Sequence, residues 1–130
     1  MWEKLGLIFA PPGTDWMATH AQNPMPEPLG GDRYRIHFAT RDRSNRSRGG
    51  YFDFDIRNPS RVLAVSAVPT IDLGELGAFD DSGVMPSALV EVDRVRQMYY
   101  TGWARAVDVP FSFHIGLAVS DDGVAYRHRL

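Results

Sequence analysis

Apolar and polar residues alternate in several short runs of this chain, and a period of two predicts β-strands. In residues 34–41, the apolar Tyr34 and Phe38 share one face and the polar side chains take the other, as in a half-buried strand. Residues 49–56 continue the pattern. No segment has the apolar spacing of an amphipathic helix, so the pattern predicts an all-β fold.

Further strands are predicted at apolar runs that lie between turn-forming residues. These runs are residues 5–10, 15–22, 62–68, 88–92, 97–103, 113–120 and 125–129. Pro24, Pro26 and Pro28 exclude a helix in residues 23–31, which we therefore expect to form a loop. Residues 58–60 are expected to form a turn.

The second half of the chain repeats the order of the first. Residues 23–24 correspond to residues 85–86, and residues 36–38 correspond to residues 98–100 at the same offset. A repeated unit of four strands is typical of a β-propeller blade. The prediction is one partial domain of antiparallel four-stranded propeller blades.

The expected organisation is an N-terminal strand followed by about two blades. The strand falls in residues 1–17, the first blade in residues 18–70, and a crossover with the second blade in residues 71–130. A propeller needs about four to eight blades to close around its channel. We therefore expect either the N-terminal part of a longer protein or copies that self-associate through unpaired blade faces.

Composition narrows the class of protein. The chain has 130 residues, of which 44% are hydrophobic, and a net charge of −2. This suits one packed domain and excludes the basic surface of a nucleic-acid binder. The absence of Cys excludes thiolate chemistry. The apolar run at residues 5–10 is too short for a signal peptide or a membrane span, so we expect a cytoplasmic protein without a membrane contact or a cofactor.

Strand direction places the candidate functional residues at one end of the predicted blades, because alternate connections of a meander lie at the same end. This end collects carboxylates, guanidinium groups, imidazoles and one indole. Its members are His20, Arg41, Asp42, Arg46, Asp80, Asp81, Trp103 and His114. Sugars need polar groups for their hydroxyls and an aromatic surface for the apolar ring face, so the mixture predicts a carbohydrate site.

Each candidate also has a structural interpretation. Asp80 and Asp81 can form a turn, and Arg41 can pair with a neighbouring Asp. Trp103 can belong to the core, and the histidines can be structural. A metal site from His20 and Asp81 has no specific spacing behind it, and no metal is predicted.

Four segments resemble a known family of proteins. Residues 2–9, 19–22, 34–42 and 79–87, the last reading Phe-Asp-Asp-Ser-Gly-Val-Met-Pro-Ser, are similar to the N-terminal portion of bacterial glycosylases associated with surface-polysaccharide loci. Those proteins resemble the five-bladed propeller glycoside hydrolases, a clan that includes arabinanases, fructosidases and mannoside phosphorylases. The resemblance covers essentially the whole chain and implies an incomplete five-bladed propeller that acts on a carbohydrate.

The resemblance also implies where catalysis would take place. Clan members use carboxylates that line the central channel, and Asp81 or Asp80 matches one of them. Residues 19–23 stand where the first blade often has an Asp, and a general-acid Glu from a later blade would lie beyond Leu130. The implied function is a piece of a glycoside hydrolase that is incomplete for catalysis alone. The alternative is a carbohydrate-binding or scaffolding propeller module without turnover.

Overall fold

A computed structural model describes residues 1–129, which form two antiparallel units of four strands each. The first unit contains β1 (Thr19–Gly30), β2 (Arg33–Arg41), β3 (Ser47–Asp55) and β4 (Asn58–Val65). The second contains β5 (Gly83–Val92), β6 (Val95–Arg105), β7 (Phe111–Ser120) and β8 (Arg127–His128). The predicted all-β fold of antiparallel four-stranded blades is confirmed. None of the described residues forms a helix that could cross a membrane.

A single parallel bridge, between Ser47 of β3 and Gly83 of β5, joins the two units as one continuous sheet. The crossover between them adds further bonds. Thr70 donates its amide to the Gly49 carbonyl (2.9 Å) and accepts from the Tyr126 amide (2.7 Å). The crossover therefore holds both units at their junction, next to the start of β5.

Each unit has its own apolar core. The first is built from Met17, Phe38, Phe52 and Phe54. The second is built from Ile71, Val84, Met98, Tyr100, Ala118 and Tyr126. Burial of these side chains supplies most of the driving force for folding, and it fixes the strand ends that carry the candidate residues.

The strand predicted at residues 5–10 is wrong, since no strand precedes Thr19. Leu5 and Leu7 are 77% and 83% exposed. Only Phe9 packs, with its ring stacked on Phe52 at 4.6 Å between centroids. The run finds no sheet edge to pair with among residues 1–129, so it follows the surface and is anchored by one aromatic side chain.

The loop predicted at residues 23–31 is also wrong, because β1 continues as a strand through Gly30. Pro26 pairs with Ile36 of β2, and Pro28 pairs with Tyr34. Peptide N–H groups alternate between the two edges of a strand, so prolines two residues apart leave all their missing donors on one edge. That edge of β1 is free, and the other keeps its hydrogen bonds to β2.

The turn predicted at residues 58–60 is the beginning of β4, and the chain reverses just before it. Asp55 fixes this reversal by accepting the amide of Arg57 at 2.9 Å. The local Asx hydrogen bond decides the turn position more strongly than Pro59 does.

The first strands of the two units are irregular at comparable places. In β1 the register shifts on both sides of Gln22, and His20 and Asn23 have positive φ values of 64° and 54°. In β5 the register shifts at Ser87. Such bulges re-aim side chains and are frequent near functional sites.

Candidate functional site

A cleft of about 440 Å³ opens where β2 and β6 end and β7 begins. It is lined by Arg41, Asn45, Met85, Trp103, Arg105, Pro110, Phe111 and Phe113. Of the eight residues predicted from the sequence, Arg41 and Trp103 line this cleft. Sequence reasoning missed Arg105, Phe111 and Phe113, although the alternating aromatics of β7 carried a signal.

Trp103 forms a fixed wall of the cleft. Its side chain is buried, and its Nε1 donates to the Ser47 hydroxyl at 3.0 Å. Ser47 in turn donates to the Val84 carbonyl at 3.0 Å. The ring of Phe111 meets the indole edge-on, 6.1 Å between centroids. Trp103 is thus part of the core and also a wall of the cleft.

Arg41 contributes a guanidinium group close to the indole, with its central carbon 5.8 Å from the ring centre of Trp103. One terminal nitrogen donates to Asn45 Oδ1 at 2.9 Å. The Nε atom is buried and has no hydrogen-bond partner among residues 1–129. The expected ion pair with Asp42 or Asp81 does not form within the described chain.

Arg105 supplies the second guanidinium group. Its NH2 donates to the Ser44 carbonyl at 2.9 Å, and its backbone amide donates to the Ser82 hydroxyl at 3.3 Å. Within residues 1–129 no carboxylate lies within ion-pair distance of Arg105. The cleft therefore combines apolar rings with positive charge.

Asp42 and Arg46 lie beside the cleft and shape the loop between β2 and β3. Asp42 accepts from the backbone amides of Ser44 and Arg46, both at 2.9 Å, and from Arg46 Nε at 3.0 Å. Burial pushes the pKa of Asp42 up, but hydrogen bonds from the Arg46 amide and the Arg48 and Arg46 side chains hold it below the ordinary value. The Asp42 carboxylate therefore stays ionised, and its oxygens are engaged in the hydrogen bonds that shape the loop.

Asp81 is engaged in a local turn. Its Oδ2 accepts the amide of Gly77 at 3.0 Å, and its Oδ1 accepts the hydroxyl of Ser82 at 2.8 Å. This is the arrangement in which an Asp side chain satisfies backbone donors. Asp81 does not line the cleft and does not contact Arg41.

Asp80 is 2% exposed and belongs to a separate cluster. Its Oδ2 accepts the hydroxyl of Tyr100 at 2.6 Å and lies 2.9 Å from His128 Nδ1. Burial and the bond to Asp80 raise the pKa of Tyr100 above its ordinary value. The sequence offered no sign of the partnership with His128, which belongs to a distant strand.

The two predicted histidines lie outside the cleft. His20 is exposed and its Nδ1 is 2.8 Å from the Thr19 hydroxyl. His114 is exposed and meets the ring of Phe79 edge-on at 5.7 Å. Among residues 1–129, no group of three His, Asp or Glu side chains is placed to hold a metal ion.

A shallow groove runs between β1 and β5. It is lined by Asn23, Pro24, Met25, Pro26, Pro86 and Ser87. Next to it, Gln22 and Asn23 point their amides at the sulfur of Met85, at 3.5 and 3.9 Å. These amides sit at the bulges of β1, in the segment where the resemblance placed an Asp in other clan members.

This chain is similar in sequence to two curated proteins and in fold to a solved structure. No known protein-family profile matches the sequence. Two proteins from strains of Mycobacterium tuberculosis, named uncharacterized protein MT1551 and uncharacterized protein Rv1502, are each 43% identical over 127 residues, 97% of this chain. The chain spans 42% of the length of these relatives.

A solved structure is similar to the whole described fold. It is a glycosyl hydrolase from Bacteroides ovatus, with a TM-score of 0.69 and 17% identity. The similarity covers 93% of this chain and 38% of that protein. At this identity the likeness concerns the fold, and the chain therefore has the fold of part of a glycosyl hydrolase.

Proposed function

We propose that this chain is part of a glycoside hydrolase-like five-bladed propeller that acts on a carbohydrate, with the Arg41–Trp103 cleft as a sugar subsite. One observation carries the proposal. The cleft joins exposed aromatic rings to two guanidinium groups, on a fold similar to that of a glycosyl hydrolase. In this proposal, turnover also needs carboxylates from outside residues 1–129.

The chemistry of the cleft suits a sugar ring. Phe111 and Phe113 are 48% and 55% exposed, so their rings are available for the apolar face of a pyranose. Arg41 and Arg105 can donate to ring hydroxyls from the two sides. The volume of about 440 Å³ falls within the range of roughly 300–1,000 Å³ that is usual for small-ligand pockets.

Turnover would require two carboxyl groups on either side of the glycosidic bond. Asp81 stays our candidate for the base or orienting carboxylate, with Asp80 as the second possibility. In the proposal, the general acid comes from outside residues 1–129. Ligand binding would have to free Asp81 from the Gly77 amide before it could act as a base.

Binding to a panel of oligosaccharides, measured by calorimetry, tests the sugar subsite. We expect Phe113→Ala to weaken the tightest interaction by about 5-fold, because loss of an aromatic stacking contact costs on the order of 1 kcal/mol. Val107→Ala, a change at a fully exposed loop position, is the matched control and should bind like the parent protein. Failure of the protein to bind any member of the panel would contradict the proposal.

A carbohydrate-binding module without turnover is the second candidate function. It is favoured by the hydrogen bonds that occupy both oxygens of Asp81 and tie Asp80 to Tyr100. Asp81→Asn, made in a longer protein that contains this chain together with the remaining blades, separates the two candidates. A general base would lose about 10² or more in turnover on this change, whereas sugar bound equally well by both proteins, with no turnover in either, supports the binding module.

A further inference from the structure

We propose that the cleft selects an acidic sugar and holds the carboxylate of a hexuronic acid between Arg41 and Arg105. This inference rests on the proposed carbohydrate function and narrows its substrate class. It concerns which sugar is bound, and it holds for an enzyme and for a binding module alike.

The charge of the cleft is the first argument. Its lining contains two guanidinium groups and no Asp or Glu side chain. Asp42, a buried acid that follows Arg41 in the chain, is already paired with Arg46 and Arg48. A neutral sugar would leave both cleft arginines without a counter-charge, although the whole chain carries a net charge of −2. An anionic ligand would neutralise them in partly desolvated surroundings, where ion pairs are stronger.

The hydrogen bonding of Arg41 is the second argument. Asn45 holds one terminal nitrogen, and the Nε atom is buried without a partner in the described chain. A buried donor left unsatisfied costs free energy. A small rotation of the guanidinium toward the cleft would present its Nε–NH2 edge to a ligand and would satisfy that donor.

The Nε–NH2 edge of other arginines binds carboxylates elsewhere in this chain. Arg35 binds Asp53 through Nε at 2.8 Å and NH2 at 3.0 Å. Arg57 binds Asp55 through Nε at 3.1 Å and NH2 at 2.7 Å. This planar two-point contact matches a carboxylate in shape, so a uronic acid is the acidic sugar that we propose.

Arg105, which also lines the cleft, completes the proposed contact. The Ser44 carbonyl fixes its NH2 group and leaves its other nitrogens for the ligand. The sugar ring would then rest on Phe111 and Phe113 while its carboxylate lies between the two arginines. One ligand would thus contact both the aromatic rings and the positive charges of the cleft.

The test compares charged and neutral ligands of the same size. Calorimetry would measure binding of oligomers of galacturonic, glucuronic and mannuronic acid, and of their methyl esters, which keep the ring and remove the charge. We expect at least one acid to bind about 10-fold more tightly than its ester. This preference should shrink as salt is raised, because salt screens the attraction.

Variants assign the preference to the arginines. Arg41→Gln and Arg105→Gln should each remove most of the preference for the acid, so that each variant binds the acid and its ester about equally. Arg41→Lys keeps the charge but removes the planar fork, so it should behave like Arg41→Gln. Arg61→Gln, at an exposed arginine of β4 outside the cleft, is the matched control. Equal melting temperatures would show that the variants are folded.

The outcomes separate the two proposals. Acid and ester bound equally would overturn the acidic-sugar inference and keep the carbohydrate function. No binding of any sugar would overturn both. Tighter binding of a sulfated or phosphorylated oligosaccharide than of every uronate would overturn the choice of a carboxylate.

Discussion

Gly83 and Trp103 are packed so closely that they set one wall of the cleft together. A Cβ atom on Gly83 would overlap the indole nitrogen of Trp103 and would lie 2.5 Å from the Ser47 hydroxyl. Those two groups are hydrogen-bonded to each other, so neither can move freely. The glycine is needed here for close approach.

Gly83→Ala should lower the free energy of unfolding by about 1–3 kcal/mol, the usual cost of overpacking. It should also shift the emission of Trp103 and weaken ligand binding. Chemical denaturation and tryptophan fluorescence would measure these effects. Ser87→Ala, at an exposed position of the same strand, should change stability by less than about 0.5 kcal/mol. Equal stability of Gly83→Ala and the parent would refute the packing argument.

The places of the candidate residues in the fold were predictable only where the direction of a strand determines them. Arg41 and Trp103 were found because alternate connections of a meander share an end. The partner of Asp80 depends on a contact between distant segments, since His128 is 48 residues away in the sequence. Asp42 and Asp81 are instead engaged by neighbours in their own turns. Periodicity carries no information on either kind of contact, and six of the eight candidates lie outside the cleft.

At the scale of elements, Glu27 connects β1 to the second unit. Its Oε2 lies 2.9 Å from His37 Nε2, and its Oε1 lies 2.8 Å from Arg96 NH1. The hydrogen bond from His37 lowers the pKa of Glu27, burial opposes it, and the charges of His37, Arg96 and Arg35 lower it further. The ionised form is therefore the stabilising one.

Glu27→Gln should lower the free energy of unfolding at pH 7 by about 1.5–3 kcal/mol, because a hydrogen-bonded charge pair is lost. A carboxyl whose folded pKa is depressed stabilises above its ordinary value of 4.5, and the effect is lost as pH falls through the lowered pKa. The difference between the two proteins should thus vanish in acid. Urea unfolding at several pH values measures it.

Glu91→Gln is the control for this prediction. Glu91 is 62% exposed and its oxygen is 3.9 Å from Arg96 Nε. Exposed pairs of this kind contribute little, so stability should change by less than about 0.5 kcal/mol. A Glu27→Gln protein whose deficit persists below the carboxyl pKa would show that charge is not the cause.

The strands themselves were largely predictable, and the exceptions have a common cause. Residues 34–41 and 113–120 were identified because one face is buried and the period of two follows. The strand predicted at residues 15–22 overlaps the start of β1, but the rest of β1, residues 23–30, was missed. Composition describes one residue at a time, whereas pairing depends on which edge faces a neighbour. A proline-rich segment is a poor central strand and an acceptable edge.

At the scale of the whole molecule, β7 leaves a row of apolar side chains uncovered. Phe111, Phe113 and Ile115 are 48%, 55% and 82% exposed. Large uncovered apolar surfaces favour association. The number of four-stranded units was predictable from the internal repeat. The surface that covers this face of β7 was not, because the sequence of two units carries no information on it.

We expect the isolated chain to self-associate through this face. Ile115→Lys should shift the chain toward the monomer in sedimentation velocity, because a charge would be buried on association. Val107→Lys, at a fully exposed loop position, should not change the distribution. A parent protein that sediments as a sharp monomer at high concentration would contradict this expectation.

The proline row of β1 also decides how copies of this chain could polymerise. A strand that approached the free edge of β1 would meet carbonyl acceptors at residues 24, 26 and 28 but no N–H donors. That edge therefore prevents growth of the β-sheet by addition of a further strand. Of the two edges of the first unit, strand addition is left to β4, so two copies joined β4 to β4 would offer no further edge of that unit for growth.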